Sequence, residues 1–246
     1  MKLGKKAPRH DARTLKLATY LQSSLPKAPD VVQWSSKVKA WGLYLNDVVG
    51  DCAVASAANL IRCWSANGQN KEDDPPEWLV LTTYAFLSGY DPSDATTDVG
   101  LVELDVLKYW RQSGFGGYKI EAFAAVDPQR LDEVRAGIWL FGGLYVGLEL
   151  PEAWETRSDV WDVGQGQAYQ RGSWGGHAVP IVGYDARGVT IVTWGGTRLV
   201  TWAAWQKYGS EAWACIAPEF TNNGKAPNGF DLAALRQDLQ ALHAPA

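Results

Sequence analysis

Two short stretches hold the residue types best suited to chemistry. The first is Asn46-Asp-Val-Val-Gly50-Asp51-Cys52-Ala-Val-Ala, where a glycine-bearing loop enters an apolar, alanine-rich run. A cysteine at a helix start meets free N–H groups and the positive end of the helix dipole. Both favour the thiolate, the nucleophilic form. The same cysteine would also serve as a small core residue, so a base must be found before chemistry is assigned. The chain has three histidines and three cysteines. His10 falls in a basic N-terminal stretch and His243 close to the C-terminus, and both are expected to be solvated. His177 lies in Trp174-Gly175-Gly176-His177-Ala-Val-Pro-Ile-Val-Gly-Tyr184. There it opens an apolar strand behind two glycines that let another backbone come close. Cys52 and His177 are thus the nucleophile and base to test. Cys63 would lie about three turns along the same helix, out of disulfide reach. Cys215 sits in an apolar run expected in the core.

The elements that must position this pair divide the chain in two. Residues 1–33 read as an arm with a short helix near Asp11 to Gln22 and a linker-like Ser-Ser-Leu-Pro-Lys-Ala-Pro. Helical patterns follow at Cys52 to Trp64, Glu77 to Leu87 and Leu101 to Gln112, with Asn67-Gly68 and Ser113-Gly114 as stops. After Gly116 the period shortens. A helix over Leu131 to Trp139 precedes a strand ending at Pro151. Strands are then predicted over His177 to Tyr184, Val189 to Trp194, Thr197 to Thr201 and Glu211 to Ala217. Phe230 to His243 reads as an amphipathic C-terminal helix. A helical first half before a β-rich second half is an α+β layout.

A Cys opening a buried helix, with HAVxxVGY far downstream, resembles the papain-like cysteine peptidases. The chain is also similar to uncharacterised bacterial and prophage-type proteins with NDxxGDC, GGHAV and TWG motifs. The resemblance implies a two-lobed fold, with a helical lobe over 34–115, a β-barrel-like lobe over 116–218 and an extension over 219–246. It implies Cys52 as nucleophile and His177 as general base and acid, set side by side as an ion pair. That family places an oxyanion-stabilising Gln six residues before the Cys, and Asn46 stands there, one methylene shorter. The family's imidazole-orienting Asn precedes Ser-Trp-Gly, whereas this chain reads Val192-Thr193-Trp194-Gly195. Thr193, water or a backbone carbonyl is left to hold the ring, with Trp194 shielding it. Gly100 matches the family's glycine-bearing cleft segment, and Trp174 and Gly176 would border the cleft before His177. The implied substrate is a peptide or protein, cleaved at a peptide or isopeptide amide. The arm is short beside the family's inhibitory propeptide, which implies narrow specificity or related amidase or transferase chemistry. The substituted Asn46 and Thr193 keep a second reading in play, a catalytically inactive papain-fold module that binds a peptide or protein partner, of phage or prophage association.

Composition narrows the alternatives. The net charge of −4 argues against a nucleic-acid binder. Three scattered Cys and three scattered His fit neither a disulfide scaffold nor a zinc site, and no metal or cofactor is expected. Asp91, Asp94 and Asp98 share a loop but lack calcium-loop spacing, and a solvated loop is expected. No apolar region of signal type follows the basic N-terminus, and Ile138 to Leu150 is too short and too interrupted to span a bilayer. A cytoplasmic location without membrane contact is the expectation. Most of the 13 Trp are expected in the core and between lobes.

Overall fold

The computed structural model describes residues 1–20, 27–156, 158–222 and 225–229. The central helix is α2 (Cys52–Gly68), and every one of its residues is buried. Ala53, Ala55, Ala57 and Ala58 keep its surface low, so strands approach it closely. Trp64 anchors its far end, donating from Nε1 to the Phe141 carbonyl at 2.9 Å and stacking on Trp110 at 5.5 Å. Burying such a side chain is worth roughly 2–3 kcal/mol. α3 (Glu77–Ser88) and α4 (Glu103–Gln112) pack on α2, whereas α1 (Leu17–Tyr20) lies against residues 122–126 of the sheet. The expected first helix shrinks to α1 within the described residues, and the expected C-terminal helix lies outside them.

The strands are β1 (Val32–Gln33), β2 (Ala122–Val126), β3 (Leu144–Leu150), β4 (Val160–Trp161), β5 (Gly175–Tyr184), β6 (Gly188–Thr193), β7 (Gly196–Thr201) and β8 (Gly209–Ile216). They form one sheet in the order β2-β8-β3-β5-β6-β7-β4, with β1 pairing beside β5. α5 (Leu131–Phe141) and α6 (Trp202–Tyr208) complete the fold. The central position of β5 fixes the site. Antiparallel register sets His177 opposite Leu148, Ala178 opposite Gly147 and Gly176 opposite Glu149. Tyr145 of β3 then donates its hydroxyl to the Ala53 carbonyl at 2.9 Å, joining the sheet to the first turn of α2. Among the described residues no helix is long and apolar enough to cross a membrane.

Candidate active site

Cys52 begins α2, and the first intrahelical bonds run from Val54 and Ala55 to the Asp51 carbonyl. The Cys52 N–H therefore has no acceptor within the helix. The Ala178 N–H, next to His177, donates to Cys52 Sγ at 3.4 Å. This bond joins the helix start to β5. Cys52, His177, Asn46, Thr193 and Trp194 line one cavity of about 10 Å³, at the lower limit for a single water.

His177 is 1% exposed. Its Nε2 is 2.8 Å from Thr193 Oγ1, and its buried Nδ1 has no hydrogen-bond partner. Of the three candidates for holding the ring, Thr193 is the one that meets it. Trp194 covers one face of the imidazole, with centroids 4.6 Å apart and planes within 14°. The turn explains how. Thr193 pairs with Gly196, leaving Trp194 and Gly195 as a two-residue hairpin loop with φ of 46° and 75°. Two left-handed residues are the hallmark of the type I′ turn. A bulky side chain is strained there, and that backbone sets the indole on the histidine. Trp174 packs on Trp194 at 5.7 Å, so it borders the site one layer out.

Asn46 is buried, and its Nδ2 donates to the Val49 carbonyl at 3.1 Å. One of its two amide hydrogens is thus engaged in the loop. Asp51, which sequence reasoning did not single out, is fully buried beside the thiol. No donor reaches either Asp51 oxygen in hydrogen-bonding geometry, although the Asn46 amide is near enough to oppose the rise in its pKa. Burial pushes this carboxyl up to about 8, so it is mostly neutral at pH 7.

The N-terminal residues cross this site. Lys2 N–H donates to the Asn46 carbonyl at 3.2 Å, and Lys2 Nζ pairs with Asp98 at 3.2 Å. Leu101 N–H donates to the Gly4 carbonyl and Lys6 N–H to the Leu101 carbonyl, both at 2.8 Å, in a parallel bridge. Lys5 N–H donates to the Gly176 carbonyl at 3.1 Å. The two expected cleft glycines are the contact points. A Cβ on Gly100 would stand 2.0 Å from the Gly4 oxygen, and one on Gly176 would stand 2.4 Å from the Lys5 oxygen. Residues 2–6 are thus bound by their backbone along Asn46, Leu101 and Gly176.

This cover changes the chemistry expected of the pair. Burial pushes the Cys52 thiol up to about 12, and the Ala178 and Gly4 N–H groups oppose that rise only partly. Burial pushes the His177 imidazole down to about 3. In this closed state the two groups are neutral, where an ion pair was expected, because burial leaves too little water to solvate charge. Cys63 and Cys215 are buried, free thiols whose pKa burial also raises. His10 is exposed, and His243 lies outside the described residues.

The acidic loop does not converge. Asp91 caps Ser93 and Asp94 caps Thr96. Asp98 turns into the cleft floor, accepting from the Gly50 N–H at 3.1 Å and from the Tyr84 hydroxyl. Among the described residues no group of three or more His, Cys, Asp or Glu could hold a metal ion.

Similar backbones occur in solved cysteine proteases. Xylellain, a cysteine protease from Xylella fastidiosa, aligns with a TM-score of 0.62 at 16% identity, over 87% of this chain and 95% of its own. Digestive procathepsin L 3 of Tenebrio molitor larval midgut aligns at 0.63 and 13%, over 85% of this chain and 75% of its own. The Carica candamarcensis cysteine protease CMS1MS2, in complex with E-64, aligns at 0.53 and 15%, over 76% and 98%. The chain has the α+β papain-like fold. No family model matches the sequence, and comparison with curated proteins finds no match. At these identities the likeness is one of fold.

Proposed function

We propose that this chain is a thiol hydrolase acting on a peptide or isopeptide amide of a peptide or protein substrate, held closed by its own residues 1–6. One observation carries the reading. Cys52 and His177 line a single cavity, and the ring presents a buried, unpartnered Nδ1 while Thr193 holds Nε2. With Nε2 carrying its hydrogen and Thr193 accepting it, Nδ1 is the lone-pair base.

Once the arm lifts, water and substrate enter and the thiol proton passes to Nδ1. The helix N-terminus then supports the thiolate. Sulfur attacks the amide carbonyl carbon and the C–O π pair moves onto oxygen. In this reading the Cys52 N–H, which has no acceptor within the helix, is the first oxyanion donor, and the Asn46 amide becomes the second by turning from its closed-state bonds. Collapse breaks the C–N bond, and imidazolium gives its proton to the leaving amine. Water, deprotonated by His177, cleaves the thioester and restores the thiol. The net reaction is amide plus water to acid plus amine, with no cofactor and no metal.

A second reading is a catalytically silent papain-fold module that binds a peptide or protein partner. The Asn46–Val49 bond favours it, because it engages part of the amide that would serve the oxyanion. The full chain bearing Gly4→Ala, which unseats the arm, separates the two. The hydrolase reading expects rapid modification of Cys52 by an epoxide inhibitor of the E-64 type, and turnover within a fluorogenic peptide library that Cys52→Ala abolishes. Modification no faster than that of a free model thiol, with no turnover, leaves the binding module.

A further inference from the structure

The central helix buries an arginine that the proposed chemistry leaves unused. Arg62 sits within α2, every residue of which is buried, and a charge is costly there unless it is paired. All of its guanidinium nitrogens are engaged. Nε donates to the Tyr44 hydroxyl at 3.0 Å and Nη1 to the Ala40 carbonyl at 2.5 Å. Nη1 also donates to Glu72 at 3.1 Å, and Nη2 pairs with Asp74. Glu72 in turn accepts the Lys39 N–H at 2.9 Å. One turn earlier, Asn59 bonds Gly42 both ways, accepting its N–H at 2.9 Å and donating to its carbonyl at 3.0 Å. These bonds fasten residues 39–44 to the helix that Cys52 begins, and the fastened segment leads into Asn46.

That segment needs fastening. Tyr44 and Leu45 have φ of 56° and 62°, two successive left-handed residues with bulky side chains. Such a backbone is sparsely populated and persists only where its surroundings hold it. The Tyr44 ring folds back over Gly42, where a Cβ would stand 2.1 Å from Tyr44 Cζ. Its hydroxyl then reaches Arg62. The next residue is Asn46, whose N–H donates to the Leu43 carbonyl at 3.0 Å. Gly42, Leu43 and Asn46 line the cavity that holds Cys52 and His177. The segment also meets the Trp194–Gly195 turn, since a Cβ on Gly195 would stand 3.7 Å from Leu43 Cβ. One strained loop thus carries an oxyanion donor and touches the turn whose indole covers His177.

We infer that Arg62 is a positioning residue: its bond to the Tyr44 hydroxyl holds the left-handed Tyr44–Leu45 backbone, and through it the Asn46 amide, where an oxyanion donor is needed. Its effect on catalysis rests on the hydrolase reading, whereas its hold on the loop does not. Arg62 touches neither substrate nor reacting atoms. It acts because an oxyanion donor serves only within about half an ångström of the productive geometry, and a loop that leaves the left-handed region carries its donor away.

Tyr44→Phe keeps the ring on Gly42 and removes the hydroxyl alone. Arg62 retains Ala40, Glu72 and Asp74, so the fold should stand. Hydrogen exchange is measured first, in the otherwise unchanged full chain. The Asn46, Val48 and Val49 amides, which bond to the Leu43 and Leu45 carbonyls, should exchange at least tenfold faster, with the α2 amides unaltered. In the Gly4→Ala chain, Tyr44→Phe should then lower kcat for the best substrate of the fluorogenic peptide library at least tenfold, with KM within twofold. Iodoacetamide needs no oxyanion donor, so its rate with Cys52 should stay within twofold. Loss of packing alone would move both rates together. Unchanged exchange, unchanged kcat, or alkylation slowed as much as turnover each overturns the inference. If the Gly4→Ala chain turns over nothing, the hydrolase reading fails on its own. Exchange at residues 46–49 then decides for or against the clamp, as it does if Gly4→Ala fails to fold.

Discussion

A Cβ on Gly4 would stand 1.8 Å from the carbonyl oxygen of Gly50 and 2.6 Å from its Cα. Gly4 therefore lies directly on the loop that leads into Cys52, with no room for one methyl group. Backbone occupies both sides of the contact, so no rotamer change relieves it. Gly4→Ala should unseat the arm while leaving the core intact. Mass-spectrometric iodoacetamide kinetics should show Cys52 modified at least tenfold faster, with Cys63 and Cys215 still protected. Equal rates for Cys52 in the two chains would mean that the arm does not guard the thiol.

Thr193 is the orienting partner of the ring. Thr193→Val keeps shape and burial but removes the oxygen 2.8 Å from His177 Nε2. A buried ring N–H without an acceptor costs about 1–3 kcal/mol. Measured on the Gly4→Ala background, epoxide inactivation of Cys52 should slow about ten- to hundredfold, and Thr193→Ser should restore most of it. Inactivation by Thr193→Val at the parental rate would remove Thr193 from the machinery.

Protonation of His177 should oppose the closed, folded state. The ring titrates near 3 when buried against an ordinary value of 6.5. The neutral form is the one the fold accepts. Its contribution is complete above about pH 6.5 and is lost as pH falls toward 3, on the order of 5 kcal/mol in all. Thermal melts between pH 7 and 4 should show a steeper loss in the native chain than in His177→Gln. Parallel curves would contradict the burial of a neutral imidazole.

Asp51 titrates in the opposite sense. Its carboxyl stands at about 8 when folded against 3.8 ordinarily. The stability that the neutral acid supports is fully present below pH 3.8 and drains away as pH rises through 8. Asp51→Asn keeps the size and cannot ionise. Its melting temperature should match the native chain near pH 4 and exceed it by several degrees at pH 9, a gap of a few kcal/mol at most by order of magnitude. A constant offset across that range would show that the carboxyl is not held neutral.

The local placement of Cys52 and of His177 was legible in the sequence because each sits at a boundary between elements. Cys52 begins an alanine-rich helix and His177 follows two glycines at a strand start, as the structure has them. The turn at Trp194 and Gly195 was not read: the strand was expected to run through Trp194, whereas it ends at Thr193 and a two-residue hairpin loop follows. The covering arm was not legible. Met-Lys-Leu-Gly-Lys-Lys looks like a basic solvated tail, and a segment held by backbone bonds to Leu101 and Gly176 leaves no side-chain period to read. A usable hint lay elsewhere: Glu149 stands between Leu148 and Leu150, and a lone acid in an apolar strand requires a cation. β2 and α6 escaped notice for a simpler reason. Five and seven residues are too few for a period to stand out.

The arm turns a Gly4 N–H toward the Cys52 sulfur, so under the hydrolase reading the seated arm acts as a tethered competitor of substrate. Closing is reversible, and every outside peptide competes with a ligand that never diffuses away. Its apparent affinity is the intrinsic one scaled by the open fraction. If about one molecule in a hundred is open, a peptide binds about a hundredfold more weakly than its contacts warrant. Changes in residues 1–6 would then tune the threshold for every substrate at once.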